Sequence, residues 1–294
     1  MKIGICLPYM KKDFGRKQLL EWCHRIDAGP FSSISCGERI TGYSLEMRAM
    51  LAAAAAVTER VQIIPSLYVL PMHNAIWAAK EIATLDVISG GRVTVTVGVG
   101  GREKDYQTVG ASFANRHQRL DDQIVEMRRI WAGEVPFEGA DEVGPDPIQA
   151  GGPQILAGAM GPKAIARAAH WAQGLYAFSL NGEKHEIAKM FAMADEAWRT
   201  AGRAESPKRV AGFWYSLADD AEARLKDYVF HYMRNLGDDL AKLIAGSMTR
   251  HTPDAILESM RAMQALGCEE LFMVPATGDI AEVDRLAAIA GEFI

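Results

Sequence analysis

Eight short apolar, β-rich runs alternate with helical patterns along this chain, and that alternation limits how it can fold more than any other feature. The runs are IGICLP, FSSISC, VQIIPSLYV and RVTVTVGV in the first third, then QILAGA, GLYAFSL, RVAGFWYSL and ELFMVPA. Between them apolar residues recur at helical spacing, as Leu120, Ile124, Met127 and Trp131 do over residues 115–131. Asn74 is placed to cap a helix beginning near Ala75, and Ser44 one beginning near Leu45. Runs that are apolar throughout mark strands buried on both faces, as a parallel sheet requires. Eight strand-plus-helix units in 294 residues match the count of a (β/α)8 TIM barrel, and predict an α/β chain forming one domain over residues 1–294. A doubly wound sheet is the alternative, but it usually places a glycine-rich phosphate turn after its first strand, and CLPYMKKDFG carries none.

Two stretches interrupt the rhythm. Residues 133–153, GEVPFEGADEVGPDPIQAGGP, hold nine Gly or Pro among 21 positions and cannot sustain a helix. They predict an insertion in the connection after strand 4. Between Asp219 and Leu266, three helical patterns broken at Gly237 and Pro253 precede the eighth strand. They predict an insertion after strand 7, above the barrel, where substrate pockets are built.

Composition removes several partner classes. The net charge is -5 and Lys and Arg are scattered among acids, so the basic stripe that a phosphate backbone demands is missing and nucleic acid is not an expected partner. Cys6, Cys23, Cys36 and Cys268 form no C-x-x-C pair, which suits reduced thiols and a cytoplasmic setting. The N-terminal apolar stretch is too short for a signal peptide and the alanine run Ala52–Ala56 too short for a span, so no membrane partner is expected. No histidine pair has metal-site spacing, and no metal is expected.

In a barrel the strand C-termini converge on one mouth, which directs attention to SGGRVTVTVGVGG, residues 89–101. Gly98, Gly100 and Gly101 let a ligand or another segment approach main chain closely, or form an ordinary turn. Glu103 stands where a dinucleotide fingerprint needs its third glycine, so that motif is absent. In ILAGAMGPKAIARAA, residues 155–169, Pro162 falls at a first helical position. Free N–H groups over Gly158 to Lys163, with the helix dipole behind them, suit a phosphate, and Lys163 adds charge; a plain helix start is the alternative.

Together these stretches resemble the luciferase-like monooxygenase family, the flavin- and deazaflavin-dependent (β/α)8 oxidoreductases. The resemblance runs from Met1 to about Gly174. It is carried by VQIIPSLYVLPMHNAIWAAKEIATLDVISGGRVTVTVGVGGREKDYQTVG, FANRHQRLDDQIVEMRRIWAGE and PDPIQAGGPQILAGAMGPKAIARAAHWAQG. Its specificity lies in the ordered set L-P-x-x-N, T-L-D-x-I-S-G-G-R, the glycine-rich strand end and R-L-D; after Gly174 only the strand–helix rhythm agrees. The resemblance implies a flavin-type ring in the barrel mouth, supported by a bulged third strand with a non-prolyl cis peptide at Ser66-Leu67. It places the coenzyme phosphate against Val99, Gly100, Gly101 and Arg102 and against Gly158, Ala159, Met160, Gly161 and Lys163, so that Gly98, Gly100 and Gly101 clear space for the coenzyme's side chain. It also implies a homodimer acting on a small-molecule substrate.

At the second strand end many relatives carry an acid followed by histidine as the proton-transfer group; here Glu38 is followed by Arg39. Arginine is not deprotonated in this pH range. Arg39 is then a partner for an anionic substrate or coenzyme, Glu38 the candidate acid/base, and His73, where relatives often have arginine, a second candidate. Tyr68, Tyr176, Phe178, Ser179, Trp214 and Tyr215 fall near strand ends, as pocket lining or as core. Coenzyme F420, a two-electron hydride carrier, is the expected cofactor on the strength of Gly161-Pro162-Lys163, with an FMN-dependent monooxygenase as the alternative. A non-catalytic flavin-binding barrel, a substrate-binding module, and a coenzyme-free barrel enzyme acting on a phosphorylated metabolite also stand; the last lacks a strand-end lysine, since Lys2, Lys80 and Lys163 lie elsewhere.

Overall fold

The computed structural model describes residues 1–293. All eight runs are strands: β1 (Lys2–Cys6), β2 (Ser33–Cys36), β3 (Gln62–Tyr68), β4 (Thr94–Val97), β5 (Gln154–Gly158), β6 (Gly174–Phe178), β7 (Lys208–Tyr215) and β8 (Glu270–Pro275). They close in sequence order into a barrel, every neighbouring pair parallel, with β8 returning to β1. The chain is therefore the (β/α)8 barrel that the alternation predicts. Ile64, Leu156, Tyr176, Val210 and Phe272 pack together inside the barrel. The opposite strand faces, Val95 and Val97 among them, are fully buried beneath the helices.

The helices are α1 (Arg16–Ala28), α2 (Met47–Val57), α3 (Ala75–Ser89), α4 (Glu103–Thr108), α5 (Arg116–Trp131), α6 (Pro162–Ala168), α7 (Lys184–Thr200), α8 (Ala221–Met233), α9 (Asp238–Gly246), α10 (Pro253–Ala265) and α11 (Ala281–Ala290). Asn74 caps α3 as expected, its Oδ1 accepting from the N–H groups of Ile76 (2.9 Å) and Trp77 (3.2 Å). The expectation at Ser44 is corrected. The helix starts later, at Met47, because the Glu46 carboxylate accepts from Ala49 N–H at 2.8 Å, while the Ser44 hydroxyl donates to the Arg39 carbonyl.

The chain leaves β4 through α4 and α5 and then crosses residues 133–153 without regular structure. Buried Asp86 anchors that stretch, accepting from Gln149 N (3.0 Å) and Nε2 (2.8 Å). After β7 the three expected helices are α8, α9 and α10. Leu225, Val229 and Ala245, with Met248 just after α9, pack α8 and α9 against Trp214 and Ala276, at the ends of β7 and β8. This places α8 across the C-terminal mouth of the barrel. No helix among the described residues is long and apolar enough to cross a membrane.

Candidate active site

The floor of the mouth is set by one leucine. The β3–β4 register shifts between Ser66 and Tyr68, and the Ser66-Leu67 peptide is cis, as the family resemblance implies. The Leu67 side chain lies between β4 and β5. A Cβ on Gly98 would stand 2.3 Å from Leu67 Cδ2, and one on Gly158 2.6 Å from the same atom. Gly98 thus makes room for the Leu67 side chain. Gly100 turns the chain in the left-handed region, at φ 59°, against Val69. Gly101 alone of the three faces open space, and Val99 is half-buried against the main core, its carbonyl accepting from the Tyr106 hydroxyl at 2.6 Å.

Glu38 and His73, from the ends of β2 and β3, meet. His73 Nε2 lies 2.6 Å from Glu38 Oε1, and Val69 N–H donates to Glu38 Oε2 at 2.7 Å. Both side chains are largely enclosed, Glu38 4% and His73 13% exposed. Tyr68 packs edge-on against the imidazole, with 4.9 Å between centroids. His73 is thus not a solvated loop residue. Nε2 faces the Glu38 carboxylate, while Nδ1 has no hydrogen-bond partner among the described residues.

Arg39 points elsewhere. Its Nε donates to the Thr41 carbonyl at 2.6 Å, Nη1 lies 3.9 Å from Met10 Sδ, and the guanidinium sits 6.0 Å from the Tyr232 ring centroid on α8. Asp105, on α4, ties this corner together: it accepts from Thr41 N–H (2.9 Å) and the Thr41 hydroxyl, and pairs with Arg102 at 3.5 Å. Arg102 in turn donates to Asn235 Oδ1 (2.8 Å) and the Tyr232 carbonyl (3.3 Å), fastening the strand-4 end to the segment across the mouth. Burial, and then the nearby Arg39 charge, lower the Arg102 pKa.

At the end of β5 the main-chain N–H groups of Ala159, Met160 and Gly161 donate to no backbone carbonyl among the described residues. Pro162 occupies the first turn of α6, as expected, and Met160 and Lys163 are exposed. Inside the barrel Ser66 and Thr96 are register partners on β3 and β4; among the described residues the buried Thr96 hydroxyl has no hydrogen-bond partner, and the Ser66 hydroxyl, beside Tyr176, makes none of good geometry. Unpaired hydroxyls below and free amides at the rim fit a planar ring with polar edges and an anionic tail.

The aromatic candidates divide. Tyr176 and Phe178 line the interior, and Phe178 meets Trp214 at 5.2 Å between centroids. Trp214 continues to Tyr232 (4.8 Å) and Tyr228 (6.1 Å) of α8. Tyr68 instead bonds Glu81 of α3 at 2.7 Å, Ser179 bonds Glu186 of α7 at 2.6 Å, and Tyr215 is buried in the sheet–helix layer. Sequence reasoning missed Met10, Asp105, Tyr228, Tyr232 and Asn235. The four-residue spacing of the two tyrosines, within an insertion already assigned to the mouth, was the available signal.

A closed eight-stranded barrel with an acid–imidazole pair and free amides at its C-terminal rim defines a (β/α)8 barrel with a candidate site at the usual end. A family model described as luciferase-like monooxygenase matches residues 1–285, and the chain belongs to that family. An uncharacterized protein of Mycobacterium tuberculosis is 30% identical over 168 residues, 55% of this chain and 58% of the relative's own length. Solved structures share the fold over nearly the whole chain. An F420-dependent secondary alcohol dehydrogenase in complex with an F420-acetone adduct superposes with a TM-score of 0.81 at 18% identity, covering 98% of this chain and 97% of that one. The oxygenating constituent of a 3,6-diketocamphane monooxygenase from Pseudomonas putida, a Type II Baeyer-Villiger enzyme in complex with FMN, does so at 0.73 and 16%, covering 100% and 99%.

Proposed function

We propose that the chain is an oxidoreductase that uses coenzyme F420 to move a hydride to or from a small organic substrate, with His73 as its proton-transfer group. The observation that carries this reading is the Glu38–His73 pair. Arg39 holds the place of the histidine expected next to Glu38, and His73 brings an imidazole back to the same carboxylate at 2.6 Å. Bound in the mouth, the deazaflavin supplies two-electron hydride chemistry. Glu38, fixed by Val69 N–H, orients the imidazole, and His73 Nδ1 gives or takes the substrate proton. The amides of Ala159 to Gly161, with Lys163, receive the coenzyme phosphate. Leu67, between Gly98 and Gly158, supports the ring, while α8 with Tyr232 and Trp214 excludes water.

Support for F420 comes from Gly161-Pro162-Lys163. An FMN-dependent monooxygenase is the second reading, favoured by the FMN-bound monooxygenase that shares the fold. The test is turnover of the coenzyme-loaded protein after His73→Asn. A loss of about 10²–10⁴-fold in kcat, with coenzyme affinity retained, supports the assignment. Retained kcat removes His73 from the mechanism.

A further inference from the structure

Arg39 differs from Arg60 and Arg92, which likewise lack a salt bridge to an acid. Arg60 and Arg92 spend their guanidinium groups on main-chain carbonyls at helix and strand ends. Arg39 has one such bond, from Nε to Thr41, which fixes the plane of its fork. Among the described residues neither Nη group meets an oxygen; Nη1 has only the Met10 sulfur at 3.9 Å. The nearby acids are committed: Glu38 to His73 and Val69, Asp105 to Thr41 and Arg102. Two guanidinium groups, of Arg39 and Arg102, against the one carboxylate of Asp105, already engaged by Thr41 and Arg102, leave an excess of positive charge beneath α8.

The same corner presents an aromatic wall. Phe178, Trp214 and Tyr232 follow one another edge to face at 5.2 and 4.8 Å, and Tyr228 lies beside Tyr232 with nearly parallel rings at 6.4 Å. A fixed guanidinium fork binds a carboxylate through two parallel N–H donations, and an aromatic wall next to it favours a flat apolar body on the same ligand.

We infer that Arg39 anchors a carboxylate on the substrate, and that the site takes small arylalkyl carboxylates. This rests on the oxidoreductase reading above and names the substrate class for that site. Arg39 is a binding and specificity residue, the Glu38–His73 pair remaining free for proton transfer. A histidine at position 39 would carry little charge at neutral pH, so the arginine changes which substrates the mouth accepts.

The test is calorimetric titration of coenzyme-loaded protein with 3-phenylpropionate and with its neutral amide, for wild type, Arg39→Gln and Arg39→Lys. Wild type is expected to bind the carboxylate at least about tenfold more tightly than the amide. Arg39→Gln should bring the carboxylate to the level of the amide, and Arg39→Lys should keep part of the preference. Circular dichroism checks that each variant folds; should Arg39→Gln not, Arg39→Lys decides by a reduced preference. Equal binding of the two ligands by wild type, no binding of either, or an unchanged preference in the folded variants overturns the inference. Coenzyme affinity is measured on the same preparations. Coenzyme binding without carboxylate preference defeats only the assignment of Arg39, whereas absent coenzyme binding defeats the reading it rests on.

Discussion

Leu67 decides which residues the strand ends beside it can hold. Its side chain is gripped from both sides, so adding one methyl at Gly98 leaves it no room to retreat toward Gly158. Gly98→Ala is expected to cost about 1–3 kcal/mol of stability, read from the urea midpoint at constant slope. Leu67→Ala in the same chain should recover part of that loss; simple addition of the two costs would mean that the side chains do not meet. The letters alone pointed to Gly98, but not to Leu67 as the side chain that needs it. A glycine that receives a neighbouring side chain and one that receives a ligand look alike in sequence, and only the register shift at Ser66–Tyr68 separates them. His73 escaped a firm reading for a related reason: its partner lies 35 positions away, across a strand and a helix.

Elements were legible where their signals are local. Helix α3 shows this at both ends, with Asn74 before its first residue and Gly90 closing it at φ 68°. Asn74→Ala should destabilise the protein by about 1 kcal/mol, and Asn74→Gly by only a few tenths, in thermal or urea unfolding. Equal costs would place the effect elsewhere than in the cap. At α2 the local signal misled, because Ser44, two residues too early, is used by the Arg39 carbonyl and Glu46 does the capping. The three helices between β7 and β8 were foreseen, yet their attachment was not. The Arg102–Asn235 bond spans 133 positions and has no sequence signature. Asn235→Ala is expected to speed amide exchange at the C-terminal end of α8 while leaving strands β4 to β6 protected, as local opening requires. Unchanged exchange there would show that Arg102 does not hold the segment down.

The barrel as a whole was readable because each of the eight units repeats the same physical demand, an apolar strand covered by an amphipathic helix. Its stability also carries a charge signature. Glu282, on the first turn of α11, is buried; its Oε1 accepts from Leu217 N–H at 2.6 Å, and among the described residues its other oxygen is unpartnered, as is the nearby Tyr215 hydroxyl. Burial outweighs the Leu217 bond and pushes the carboxyl from its ordinary 4.5 up to about 8. The folded chain therefore holds a proton that the unfolded chain releases. The resulting stabilisation is full below about pH 4.5 and is lost as the pH rises to about 8, at no more than about 1.4 kcal/mol per pH unit. In Tm measurements between about pH 5 and pH 9, the advantage of wild type over Glu282→Gln should shrink steadily with rising pH. A constant difference would contradict the buried neutral acid.

The central claim is that the rim formed by Leu67, the amides at Ala159 to Gly161 and the Glu38–His73 pair holds a deazaflavin. Fluorescence titration of the purified protein with F420 and, separately, with FMN tests it most directly. Saturable F420 binding that Gly161→Pro weakens by removing a rim amide, with FMN bound weakly or not at all, is the expected result. Tight FMN binding would move the protein to the oxygen-using branch of its family, and failure to bind either coenzyme would contradict the account.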